Sequence, residues 1–226
     1  MSDLYHINIE GITLDDFQQR LESSEPLPGR KILKQDVAAR FSMFKSHGMK
    51  NMQELWDTLK TKKRLEEFAQ LTNLPLDYLT ILRREIGSYL PKPVNLNTFP
   101  GIDEKLIKKM AQHGIKQSKQ LLEHAQDQTA RDELAKELVI ADDVLLEIVR
   151  LAEFIRIPGV GPVFARMLFD AGCDSLDTFC QSVTDALFTK LMAINEGDKY
   201  TRSKFTTQHV RDCQLIGNML PRMISY

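Results

Sequence analysis

The chain of 226 residues has no apolar run approaching about 18 residues, the least that crosses a membrane as a helix. It has few cysteines: Cys173, Cys180 and Cys213 include no CxxC pair, which argues against a disulfide frame or a zinc site and for a reducing, cytoplasmic setting. Met1-Ser2-Asp3-Leu4-Tyr5 lacks the basic and apolar segments of a signal peptide, in line with that expectation. It has almost no net charge (−1), unlike most dedicated nucleic-acid binders, although a local basic face stays compatible with that total. Strand-like alternation is confined to Tyr5-His6-Ile7-Asn8-Ile9, read as an extended arm. No GxxxxGK[ST], dinucleotide-binding glycine pattern or GxSxG occurs. The carboxylates of Asp132, Glu133, Glu137, Asp142, Asp143 and Glu147 suit helix surfaces and starts, so no enzyme, cofactor or metal is expected.

What the chain does have is a repeat. His47-Gly48-Met49 recurs as His113-Gly114-Ile115, an offset of 66 residues (Gly48 to Gly114). Leu55, Phe68, Leu79, Leu82 and Arg84 then fall, without a gap, on Leu121, Leu134, Leu145, Ile148 and Arg150. A third copy follows at an offset of 58 (Gly114 to Gly172), in which Phe99-Pro100-Gly101-Ile102 becomes Ile157-Pro158-Gly159-Val160. That copy diverges near Asn195-Glu196-Gly197-Asp198.

Each copy reads as helices. Thr13, followed by Asp15 and Asp16, predicts a capped helix to about residue 22. In the second copy, apolar spacing predicts helices over 104–110, 118–124, 129–138 (with Thr129 as cap) and 142–154. Gly48, Gly114 and Gly172 are expected to end helices in the left-handed conformation. Trp56 stands where Leu122 stands in the next copy and is expected in the core. Helices this short bury their apolar stripes only by packing on one another. The expected fold is therefore all-α, tandem helix-hairpin-helix repeats in two compact halves. An N-terminal arm and helix cover 1–25, and repeats cover 26–92, 93–156 and 157–226; Pro91-Lys92-Pro93 is the expected boundary between the halves.

The segment 156–166, Arg-Ile-Pro-Gly-Val-Gly-Pro-Val-Phe-Ala-Arg, resembles the helix-hairpin-helix signature of DNA repair and replication proteins. Gly159 and Gly161 give backbone freedom and close approach. Val160 anchors the turn in the core, Pro162 suits a first helical turn and Ala165 lets the helices pack closely. The amides left free at that helix start form an anion site, with Arg156 and Arg166 as flanking charges. The resemblance implies contact with nucleic-acid backbone, DNA favoured, without sequence readout and with a monovalent cation at the 157–162 hairpin.

Two other copies look degenerate. In Phe99-Pro100-Gly101-Ile102-Asp103 the second glycine is replaced by Asp103, expected to cap the next helix, although Lys105, Lys108 and Lys109 keep a basic contact in view. In Leu27-Pro28-Gly29-Arg30 one glycine survives, with Arg30, Lys31 and Lys34 around it. Tyr200-Thr201-Arg202-Ser203-Lys204 is a further basic candidate, in a loop where the third copy departs from the others.

Through Leu27-Pro28-Gly29, residues 78–85, Phe99-Pro100-Gly101-Ile102 and Phe164-Ala165-Arg166-Met167-Leu168, the chain resembles a bacterial family catalogued as domain of unknown function 4332, related to helix-hairpin-helix domains. The resemblance implies the fold and carries no activity. The expectation is a non-enzymatic binder of nucleic-acid backbone. The alternatives are a protein-interaction scaffold with purely structural hairpins, or an accessory domain acting beside a separate enzyme.

Overall fold

The computed structural model describes residues 4–26 and 28–226. Met1, Ser2, Asp3 and Leu27, on which the leader and first-hairpin expectations partly fall, lie outside the described residues. The chain forms two compact units, one of residues 7–90 and one of residues 1–6 with 91–226. Both are helical, and among the described residues the only strand-like pairings are two isolated bridges, Thr13 with Asn51 and Asn95 with Gln117.

The smaller unit holds α1 (Leu14–Ser23), α2 (Val37–Ser46), α3 (Met52–Leu59), α4 (Lys62–Thr72) and α5 (Leu76–Ser88). Thr13 accepts from the Asp16 amide while the Asp16 carboxylate takes the Thr13 amide, a reciprocal cap that satisfies two orphan donors. The core is aromatic: Phe17, Phe41 and Phe44 are fully buried and meet edge to face at 5.6 and 5.4 Å between ring centres. The Arg40 guanidinium stacks 3.9 Å from the buried Tyr78 ring. Trp56 is half-buried, and its ring lies so close to Gly87 that a Cβ there would come within 3.3 Å of it.

The larger unit holds α6 (Glu104–Gln112), α7 (Ser118–His124), α8 (Gln128–Leu138), α9 (Asp142–Phe154), α10 (Pro162–Asp170), α11 (Leu176–Gln181), α12 (Thr184–Ile194) and α13 (Thr207–Gly217). Two helices, α7 and α9, keep the bounds the apolar spacing predicts. The cap of α8 does not: Asp127, not Thr129, accepts from the Ala130 amide, because it alone sits outside the first helical turn with extended backbone. Leu4 to His6 are part of this unit, with Tyr5 fully buried and its hydroxyl 2.8 Å from Ser118 Oγ.

The backbone repeats with the sequence. Gly48, Gly114 and Gly172 have φ of +83°, +82° and +92°. Asn73, Val139 and Gly197, related by the same two offsets, have +54°, +48° and +69°. Val139 is a β-branched residue in a region that disfavours it, and the neighbouring copies use residues that tolerate it better. The third copy then departs: α8 and α9 are joined by residues 139–141, whereas the corresponding α12 and α13 are joined by residues 195–206.

Among the described residues, the first copy's degenerate segment takes a different form from the later turns. Residues Pro28–Lys34 form a 3-10 helix containing Gly29, and the left-handed residue before α2 is Asp36, at φ +49°. Arg30 is drawn to Glu85 and Ser88 in the same unit, so this segment packs as a helix and not as an anion-binding turn.

Candidate nucleic-acid interface

The last turn of α9 runs into buried residues 155–158, and the chain then surfaces. Gly159 is exposed at φ +90°, a conformation that a side chain would strain. The Val160 amide returns to the Ile157 carbonyl at 3.0 Å, and its side chain is buried, which pins the turn to the core. Gly161 caps α10 with no side chain, and the Ala165 amide donates to its carbonyl at 2.8 Å, which starts the helix. Gly161 itself has ordinary extended angles (φ −93°, ψ 174°), so the freedom expected of this glycine is not needed for backbone shape. A Cβ there would meet nothing within 4 Å, so its bareness instead leaves the helix mouth open.

Among the described residues, the amides of Gly159, Gly161, Val163 and Phe164 have no hydrogen-bond partner. Pro162 stands at the first helical position, where its missing N–H leaves no gap in the helix ladder. Unpaired amides at a helix start, with the positive helix end behind them, favour an anion.

The two flanking arginines are placed elsewhere. Arg156 is wholly buried: its Nε donates to the Tyr5 carbonyl (3.2 Å), and its Nη2 to the carbonyls of Leu4 (2.8 Å) and Pro221 (2.5 Å). Its Nη1 lies 3.6 Å from Glu153, equally buried, which accepts from the Tyr226 hydroxyl at 2.7 Å and the Leu176 amide at 3.3 Å. Burial pushes the Glu153 carboxyl above its usual range, against the hydrogen bond from Tyr226 and the charge of Arg156. Arg156 therefore fastens both chain termini of this unit, and the cost of burying it is met by carbonyls and a carboxylate. Arg166 is 9% exposed and bonded to Glu147 (2.6 Å), the Pro100 carbonyl (3.0 Å) and Asp170 (3.5 Å). It braces the second copy's turn, where a Cβ on Gly101 would lie 3.5 Å from its guanidinium.

The second turn carries a capping carboxylate that takes one of its amides and leaves those of Gly101, Asp103 and Glu104 without a partner among the described residues. Gly101 is exposed at φ +81°, and Asp103 accepts from the Lys105 amide at 2.8 Å. Lys105 and Lys108 are exposed on α6. In the smaller unit, Arg30 is paired with Glu85, Lys34 donates to the Glu22 carbonyl at 2.8 Å and Lys31 is exposed. The structure therefore gathers Gly159, Val160, Gly161 and Pro162 into one open turn and takes Arg156 and Arg166 out of it.

It also brings the basic loop to that turn. The Phe205 ring lies 5.2 Å from Phe164, in the first turn of α10, and 5.8 Å from Phe188. Cys213 on α13 lies under the turn, its thiol 3.7 Å from the Pro158 carbonyl and 3.8 Å from where a Gly159 Cβ would be. A signal for this charge was present in the sequence: residues 199–211 contain Lys199, Arg202, Lys204 and Arg211 and no acid.

The model of one family, described as Domain of unknown function (DUF4332), matches residues 100–213. The chain belongs to this family. The DUF4332 match takes in both glycine turns, the arginine that braces the second and the cysteine beneath the third. No curated protein and no solved structure gives a significant match to the chain.

Proposed function

We propose that this DUF4332 protein is a non-enzymatic module that binds the phosphodiester backbone of nucleic acid, DNA before RNA, without reading sequence. In this reading residues 157–166 are a working helix-hairpin-helix and the turn at Gly101 is a structural one. The observation that carries it is the set of amides at Gly159, Gly161, Val163 and Phe164, unpartnered around an exposed turn with no capping side chain. Such donors hold phosphate oxygens by geometry and leave base edges unread. A cytoplasmic protein without catalytic groups is in keeping with the thiols. All three cysteines are free, and burial pushes Cys173 and Cys180 up to about 11 and Cys213 to about 12, which keeps them protonated and poorly nucleophilic. No organic cofactor belongs to this reading; a monovalent cation at residues 157–162 does, and exchange of potassium for a bulky organic cation at fixed ionic strength tests it.

The test of the function itself is a salt titration of binding to labelled DNA and RNA, single-stranded and duplex. A log–log slope of about −2 to −5, alike for unrelated sequences, is the expected result. Absence of binding at low salt to every one of these ligands would overturn the proposal.

A further inference from the structure

Resting on that reading, we infer that residues 199–206 form a cationic arm extending the 157–161 turn into a site for successive phosphates of one strand, so that the ligand is a polymer and not a single phosphate group. The arm is an insertion, since the connection at residues 195–206 is matched in the copy before it by residues 139–141 alone. Insertions of this kind are ordinarily loose, but this one is tied down at both ends. The Asn195 side chain accepts from the amides of Tyr200 and Thr201, each at 3.0 Å, and donates to the Thr201 carbonyl at 2.9 Å. The Tyr200 hydroxyl donates to Asp170 at the far end of α10 (2.7 Å), and Phe205 seats between Phe164 and Phe188. The held segment thus runs along α10 from its C-terminal end to its open N-terminal turn.

On it, Arg202 and Lys204 are exposed and have no ion-pair or hydrogen-bond partner among the described residues. Four other arginines of this unit do face an acid: Arg166 faces Glu147 and Asp170, Arg222 faces Asp177, Arg156 faces Glu153 and Arg150 faces Asp174. Within the connection the acids Glu196 and Asp198 stand at its start, and the part that leads to Phe205 and the turn carries Lys199, Arg202 and Lys204 alone. The arm ends where α13 begins, at Thr207, and Cys213 of the same helix touches the glycine turn. At 1.5 Å of rise per residue these points are about 9 Å apart. Phosphates of one duplex strand advance about 3.4 Å each along the axis, so turn and arm together span about two to three of them.

The experiment compares the wild-type chain with Gly161→Asp and with the double substitution Arg202→Gln and Lys204→Gln, all with folding checked by circular dichroism. The probes are a 20-nucleotide single strand and its duplex, in DNA and RNA forms, with inorganic phosphate as competitor. The expected results are a loss of about tenfold in affinity and a salt slope shallower by about 2 in the double variant, with inorganic phosphate competing only weakly. An unchanged affinity and slope in the double variant, alongside weakened binding in Gly161→Asp, would overturn the arm and leave the turn standing. Equal competition by inorganic phosphate at matched ionic strength would likewise reduce the site to a single phosphate. Absence of oligonucleotide binding by the wild-type chain would overturn arm and turn together.

Discussion

The second and third copies of the repeat build the same turn to opposite ends. Gly101 and Gly159 share a left-handed conformation, and each precedes a nine-residue helix. Of the nine positions at which residues 98–108 differ from 156–166, three concern the residues that cap or flank the turn. Where the third copy has Gly161, the second has Asp103, whose carboxylate occupies the Lys105 amide. Where the third has Arg156, locked in the core, the second has Thr98, exposed and bonded to the Asn95 carbonyl at 2.6 Å. Where the third has Arg166, the second has the solvated Lys108, and Arg166 itself reaches back to brace the second turn. One carboxylate at the capping position thus takes the second helical amide in one turn and puts a negative charge at its mouth, while the other turn keeps that amide free and carries no such charge.

Replacing Arg156 with methionine should have the largest effect. It removes three donated hydrogen bonds to Leu4, Tyr5 and Pro221 and leaves Glu153 buried without its counter-charge. Chemical denaturation should show a loss of about 3–5 kcal/mol, while the affinity of the remaining folded protein is preserved. Gly161→Asp turns the third turn into a copy of the second. Affinity for oligonucleotide should fall about tenfold to a hundredfold with the loss of charge-assisted hydrogen bonds, while stability stays within about 0.5 kcal/mol. Gly159→Ala probes the feature the two turns share. At φ +90° it should cost about 1–2 kcal/mol, a fall in Tm of about 2–4 °C per kcal/mol. Asp103→Gly runs the comparison backwards: stability should drop by a few tenths of a kcal/mol, and affinity should rise about two- to threefold, seen in the same titration.

Much of the fold was legible because the rules that set it are local. Thr13 with Asp16, the Asp142–Asp143 start of α9 and the glycines after α2, α6 and α10 act within one helical turn of where they stand. The open turn was legible for the same reason, since Gly159, Val160, Gly161 and Pro162 do their work within six residues of one another. The arginines were not. Arg156 finds its carbonyls 151 residues upstream and 65 downstream, and Arg166 finds Pro100 66 residues away, so their neighbours in sequence say nothing of their burial. The same distance hid the meeting of Phe205 with Phe164: the basic loop and the hairpin read as separate candidates until packing joined them. At Pro28–Lys34 the sequence showed a degenerate copy with one surviving glycine, and its 3-10 helix, which no local signal announced, is the form that copy takes.

The most direct test is an amide-resolved nuclear magnetic resonance titration of the labelled chain with a short DNA duplex. The account predicts that the amides of Gly159, Gly161, Val163 and Phe164 shift together along the binding curve while that of Lys105, already held by Asp103, stays in place. Saturation of binding with those four amides unmoved, or with Lys105 moving in their stead, would contradict it.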